Sequence, residues 1–136
     1  MEWKVRGIRG AITAKGNTTK EIKEAVQELL KEIKQQNQFM KPEDIVCVFF
    51  TATNDLDATF PAKVARRICP EWQYVPLLDL QQMYVKGDLE LCIRILIQIN
   101  TDKPQSEIVH CYLGEAKKLR SDLSIPISTS TQSICK

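Results

Sequence analysis

A chain of 136 residues, 43% of them apolar, suffices for about one domain with a continuous core and is too short for two. Nineteen Lys and Arg against seventeen Asp and Glu leave a net charge of +2, and the basic residues are spread along the chain, which argues against a nucleic-acid partner. The opening MEWKVRG lacks the apolar stretch of a signal peptide and no apolar run nears the roughly 20 residues of a membrane span, so a cytoplasmic protein without a membrane partner is expected.

WKVRGIRGA reads as the first strand, and strand alternation puts Arg9 on the face of Val5 and Trp3. Thr18 precedes Glu21 at the spacing of a capping box, and Ile22, Ala25, Val26, Leu29, Leu30 and Ile33 follow at helical spacing. One long amphipathic helix is therefore expected, ending in the Gln-Asn stretch before Lys41-Pro42. IVCVFFTA, residues 45–52, reads as a buried strand and TNDLDATF as a polar loop. Pro61 suits the first turn of a short helix, PAKVARRI, whose Lys63, Arg66 and Arg67 form a basic ridge, most simply a solvated face.

WQYVPLL reads as an edge strand, because Pro76 has no N–H to give to a ladder. LCIRILIQI is the strongest strand signal; Arg94 shares a face with Cys92 and Leu96, and apolar residues on both faces argue for burial from both sides. After the turn TDKP, VHCYL reads as a short strand. Beyond Arg120 the composition shifts to Ser and Thr, so a flexible tail over 124–136 is expected behind a single domain over 1–123. About five strands and one long helix leave more apolar surface than that helix covers, which predicts an oligomer.

Five cysteines, an odd number without paired spacing, predict free thiols rather than disulfides, and a single histidine with no C-x-x-C predicts no metal site. The two arginines stand out. Arg9 and Arg94 have apolar neighbours and need anions. Carboxylates from elsewhere in the fold are the commoner answer; a small anionic ligand held by charge-assisted hydrogen bonds is the other.

RGIRGA at 6–11, FPAK at 60–63, WQYVP at 72–76, CIR at 92–94, HCYL at 110–113 and Leu119-Arg120 occur in one order and spacing that resembles the monofunctional AroH-type chorismate mutases, from about Val5 to Leu123. The resemblance implies an α+β fold: a mixed five-stranded sheet with one long helix, assembled as a homotrimer around a pseudo-α/β barrel core, with active sites at subunit interfaces. It implies the pericyclic (Claisen) rearrangement of dianionic chorismate to prephenate, in phenylalanine and tyrosine biosynthesis, with no cofactor and no metal.

On matching positions, Arg9 and Tyr112 would hold the substrate's side-chain carboxylate. Arg94 would donate to the ether oxygen as the main catalytic residue. Phe60, Ala62, Lys63, Leu77, Leu78 and Leu119 would line the pocket, with Arg66 and Arg120 at its entrance. For Lys63, Arg66 and Arg120 plain surface charge is an equal reading, and for Phe60, Tyr112 and the leucines core packing is the alternative.

The chain departs from the family pattern at two places. Gln82 stands where a glutamate is usual, and Asp79 where cysteine is common, with one extra residue around Cys69-Pro70-Glu71. Both changes fall on what reads as one pocket wall, so Asp79 is expected to supply the negative charge that Gln82 lacks, while Gln82 keeps a neutral hydrogen bond to the ring hydroxyl. Two other functions compete. Rid-type imine deaminases also clamp a carboxylate with arginine but do not share RGIRGA, WQYVP and CIR, and a catalytically weak relative would bind chorismate or prephenate without turnover. No separate regulatory domain is evident, so feedback inhibition is not expected.

Overall fold

A computed structural model describes residues 2–119. The expected tail and Arg120 lie outside the described residues. Five strands, β1 (Lys4–Thr13), β2 (Ile45–Ala52), β3 (Leu77–Gln81), β4 (Cys92–Thr101) and β5 (Cys111–Leu113), form one sheet in the order β3-β2-β4-β1-β5. β4 runs antiparallel to β1 and β2, whereas the outer pairs β2/β3 and β1/β5 are parallel, so the sheet is mixed. Helices α1 (Thr19–Gln36) and α2 (Pro61–Ile68) pack against it and against each other. Among the described residues no helix is long and apolar enough to cross a membrane.

α1 forms where local chemistry directs it. The Thr18 hydroxyl accepts from the Glu21 N–H at 3.1 Å, the N-cap bond, and donates to the Glu21 carboxylate at 3.0 Å. All six apolar residues of the stripe, Ile22 to Ile33, are buried. The helix ends at Asn37, a buried amide that is fully engaged. Its nitrogen donates to Ile33 O at 3.0 Å and Val109 O at 2.9 Å, and its oxygen accepts from Val109 N at 2.9 Å. Beyond β5, Gly114 turns the chain at φ +61°, where an added Cβ would lie 2.7 Å from the Thr13 hydroxyl.

β3 is an edge strand, as Pro76 predicts, but WQYVP itself is not strand. Pro70–Trp72 forms a 3-10 turn that drives Trp72 into the core, and pairing begins at Leu77. The isolated protomer also lacks the two-sided burial expected of β4. Ile93, Ile95, Ile97 and Ile99 are at most 2% exposed beneath the helices, whereas Leu96 on the other face is 37% exposed. Val5 and Leu78, both 53% exposed, extend that open apolar face.

Candidate active site

Sheet register assembles the site on the open face. Thr51 pairs with Arg94, Arg94 with Ala11 and Ala11 with Tyr112, so these four side chains form one row across β2, β4, β1 and β5. One step along the strands, Phe49, Leu96 and Arg9 form the neighbouring row. The two arginines of the sequence motifs thus meet on one surface. Together with Thr51, Leu80, Gln82 and Leu96 they line a hollow of about 330 Å³.

The polar atoms here are unusual in what they do not bond. Among the described residues, the buried side-chain nitrogen and oxygen atoms without a hydrogen-bond partner are Arg94 Nε and the Tyr112 hydroxyl. Such atoms carry the full desolvation penalty of burial unless a ligand satisfies them. Tyr112 is 4% exposed and packs in a small cluster with Ala11, Cys92 and Ala116, flanked by Leu89 and Leu119. Burial pushes the Cys92 thiol up, against the pull of the Arg94 guanidinium, so it stays a neutral neighbour. The Arg94 Nη2 group lies 3.2 Å from Asp88 Oδ2.

Gln82 extends the β3 ladder through its N–H to Ala52 O at 3.0 Å, and its side-chain oxygen accepts from the Thr51 hydroxyl at 2.6 Å. The segment from Gln82 to Leu91 then crosses the sheet end. Leu91 closes it at φ 53°, a left-handed conformation rare for a branched side chain. Both oxygens of the Asp55 carboxylate accept from Leu91 N, at 3.0 and 3.1 Å, and Leu91 O accepts from Ala14 N at 2.7 Å. This clamp sets the entry of β4 two residues before Arg94.

A second group of the expected residues lies on the other side of the sheet. Asp79 pairs with the buried Phe50, and its Oδ1 accepts from Ala62 N at 3.0 Å. Phe60, the N-cap position of α2, has no side-chain acceptor to offer, so Asp79 supplies the missing cap from β3. The expectation that Asp79 and Gln82 share one pocket wall therefore fails within the protomer: the strand's alternation sends them to opposite faces, and the Asp79 carboxylate is engaged by the helix. Ala62 is buried and Leu77 half-buried in the same region, while Lys63, Arg66 and Phe60 are exposed, Phe60 by 65%.

One chain thus brings together Arg9, Arg94, Gln82, Tyr112 and Leu119 on the open face, with Leu78 toward its edge. It keeps Phe60, Ala62, Lys63, Arg66, Leu77 and Asp79 apart from them. Sequence reasoning passed over Thr51, Asp55 and Asp88. Thr51 becomes identifiable only once the β2/β4 register is known, whereas Gly87-Asp88, a turn signal just before CIR, was available.

Residues 5–123 match the family model for chorismate mutase type I. The chain is 45% identical over 125 residues to the chorismate mutase AroH of Bacillus subtilis strain 168, covering 92% of this chain and 97% of that protein. It is 44% identical over 119 residues to chorismate mutase AroH of Thermus thermophilus, covering 88% and 96%. A solved chorismate mutase from Clostridium thermocellum superposes with a TM-score of 0.77 at 43% identity, over 82% of this chain and 97% of that one.

Proposed function

The chain belongs to the chorismate mutase type I family and is an isomerase acting on chorismate, and we propose that it does so in a cleft where the open face of one protomer meets α2 of another. The reaction breaks the ether C–O bond of chorismate as a C–C bond forms between the enolpyruvyl end and the ring, giving prephenate. No proton leaves and no covalent intermediate forms. The protein contributes orientation and placed charge.

The orphaned pair of buried atoms carries the site assignment. Arg94 Nε and the Tyr112 hydroxyl flank Ala11 in one row, with Arg9 in the next. Arg9 and Tyr112 hold the side-chain carboxylate, and the Arg94 N–H meets the ether oxygen, whose negative charge is larger in the transition state than in the ground state. Gln82 hydrogen-bonds the ring hydroxyl. Leu78 and Leu119 supply apolar walls.

Phe60, Ala62, Lys63, Arg66, Leu77 and Asp79 face away from this row in their own chain, so they join it from a neighbouring copy. The exposed Leu78, Leu80, Leu96 and Val5 support such packing, and the family resemblance supports three copies in the cytoplasm. Arg66 and Arg120 then serve to draw in a dianion.

Loss of chorismate ultraviolet absorbance tests the assignment. The wild type turns over, and Arg94→Ala lowers kcat by about 10³-fold. Wild-type binding of chorismate without turnover would instead favour the weak-relative reading. Light scattering should give three times the chain mass; a fully active monomer would rule out the shared cleft.

A further inference from the structure

We propose that Asp88 is a positioning residue for Arg94, gripping one end of the guanidinium so that its Nε–H edge stays directed into the hollow. The inference rests on the role given to Arg94 above. A guanidinium is a planar fork of donors, and a carboxylate on one arm fixes the direction of the others. Asp88 Oδ2 lies 3.2 Å from Arg94 Nη2, while Nε, on the same rigid plane, is buried without a partner.

The carboxylate is itself immobilised. Its Oδ1 accepts from Leu89 N at 2.8 Å, and Asp88 N donates to Val85 O at 3.0 Å, closing a turn that Gly87 enters at φ +84°. The turn is held at both ends, by Gln82 on Thr51 and Ala52 and by Leu91 on the Asp55 carboxylate. The pair is partly sheltered, with the Arg94 side chain 18% and the Asp88 side chain 33% exposed. Asp88 and Gln82 also line one further hollow, of about 270 Å³.

The chain therefore does keep a carboxylate on the Arg94 side of the sheet, although at neither position 79 nor position 82. Its place, on the Nη2 arm, suits it to orienting the donor. An Arg94 without this anchor would sample several rotamers and reach the ether oxygen in only some of them.

The test measures chorismate turnover for Asp88→Asn, Asp88→Glu, Arg94→Ala and the Asp88→Asn/Arg94→Ala double variant, with a melting curve for each. Asp88→Asn should lose ten- to a hundredfold in kcat, roughly what a misplaced catalytic group forfeits, with KM moved less than about threefold and an unchanged Tm. Asp88→Glu should restore most of that loss, and Asp88→Asn should lower the residual rate of Arg94→Ala no further. A kcat within about twofold of wild type for Asp88→Asn, beside an inactive Arg94→Ala, overturns the positioning role and leaves the role of Arg94 intact. An equal loss in the Arg94→Ala background overturns it in favour of a purely structural turn. A fast Arg94→Ala variant overturns both assignments.

Discussion

Asp79 and Gln82 stand three residues apart on and just beyond β3, yet one bonds the backbone of α2 and the other a threonine on the opposite face of the sheet. The alternation of the strand divides their roles between the two faces of the sheet. The aspartate closes a helix end that Phe60 cannot cap, and the glutamine stays with the arginines.

Asp79→Asn should be slightly more stable than wild type at neutral pH, and the gap should close on acidification. Burial raises the Asp79 pKa above its ordinary 3.8, against the opposing pull of the Ala62 N–H and of Arg66. A carboxyl whose folded pKa lies above its unfolded one contributes stability fully below the unfolded value, and that contribution is lost as pH rises through the folded value. Asparagine keeps the acceptor for Ala62 and has no such loss. Thermal melts from pH 3 to 7 check this; a gap that widens toward acid would contradict it.

Gln82→Glu should raise kcat by about fivefold. The side-chain oxygen already sits 2.6 Å from the Thr51 hydroxyl, a donor equally suited to a carboxylate, in a hollow lined by Arg9 and Arg94. A negative charge there opposes the positive charge that builds on the ring as the ether bond breaks. Steady-state kinetics of the variant decide the matter, and an unchanged kcat would mean that Gln82 does not face the ring.

Tyr112→Phe should move stability and binding in opposite directions. The hydroxyl is buried and unpartnered, so removing it should stabilise the chain by about 1 kcal/mol, whereas chorismate should bind about tenfold more weakly for want of one donor to its carboxylate. Calorimetric melting and KM provide the two readings. A fall in both Tm and affinity would place Tyr112 in packing alone.

Much of the fold is written locally. α1 follows from Thr18, Glu21 and a six-residue stripe, and both β2 and α2 coincide with the residues read from sequence, 45–52 and 61–68. Trp72 is different: it lies in a turn opened by Pro70 and is buried in the core rather than paired in a strand. Strand alternation and apolar neighbours singled out Arg9 and Arg94, but their meeting depends on the register that pairs Arg9 with Leu96 and Arg94 with Ala11, which no single segment encodes. The separation of Asp79 from Gln82 was legible, since an odd offset along a strand changes face. Asp88 escaped because a turn aspartate looks like a solvated one until Arg94 is seen beside it.

The amide of Asn37 ends a helix, and it also governs the phase of a strand. β5 has three residues, too few to resist a slip along β1 by its own ladder. Asn37 grips both backbone groups of Val109, and His110 Nδ1 accepts from Arg9 N at 2.9 Å, so two side chains fasten the approach to β5 before its pairing begins. A one-residue slip would turn the Tyr112 hydroxyl toward α1 and leave Cys111 or Leu113 in its row. An asparagine at the far end of a helix thereby decides which side chain of β5 stands in the row of Arg94 and Thr51.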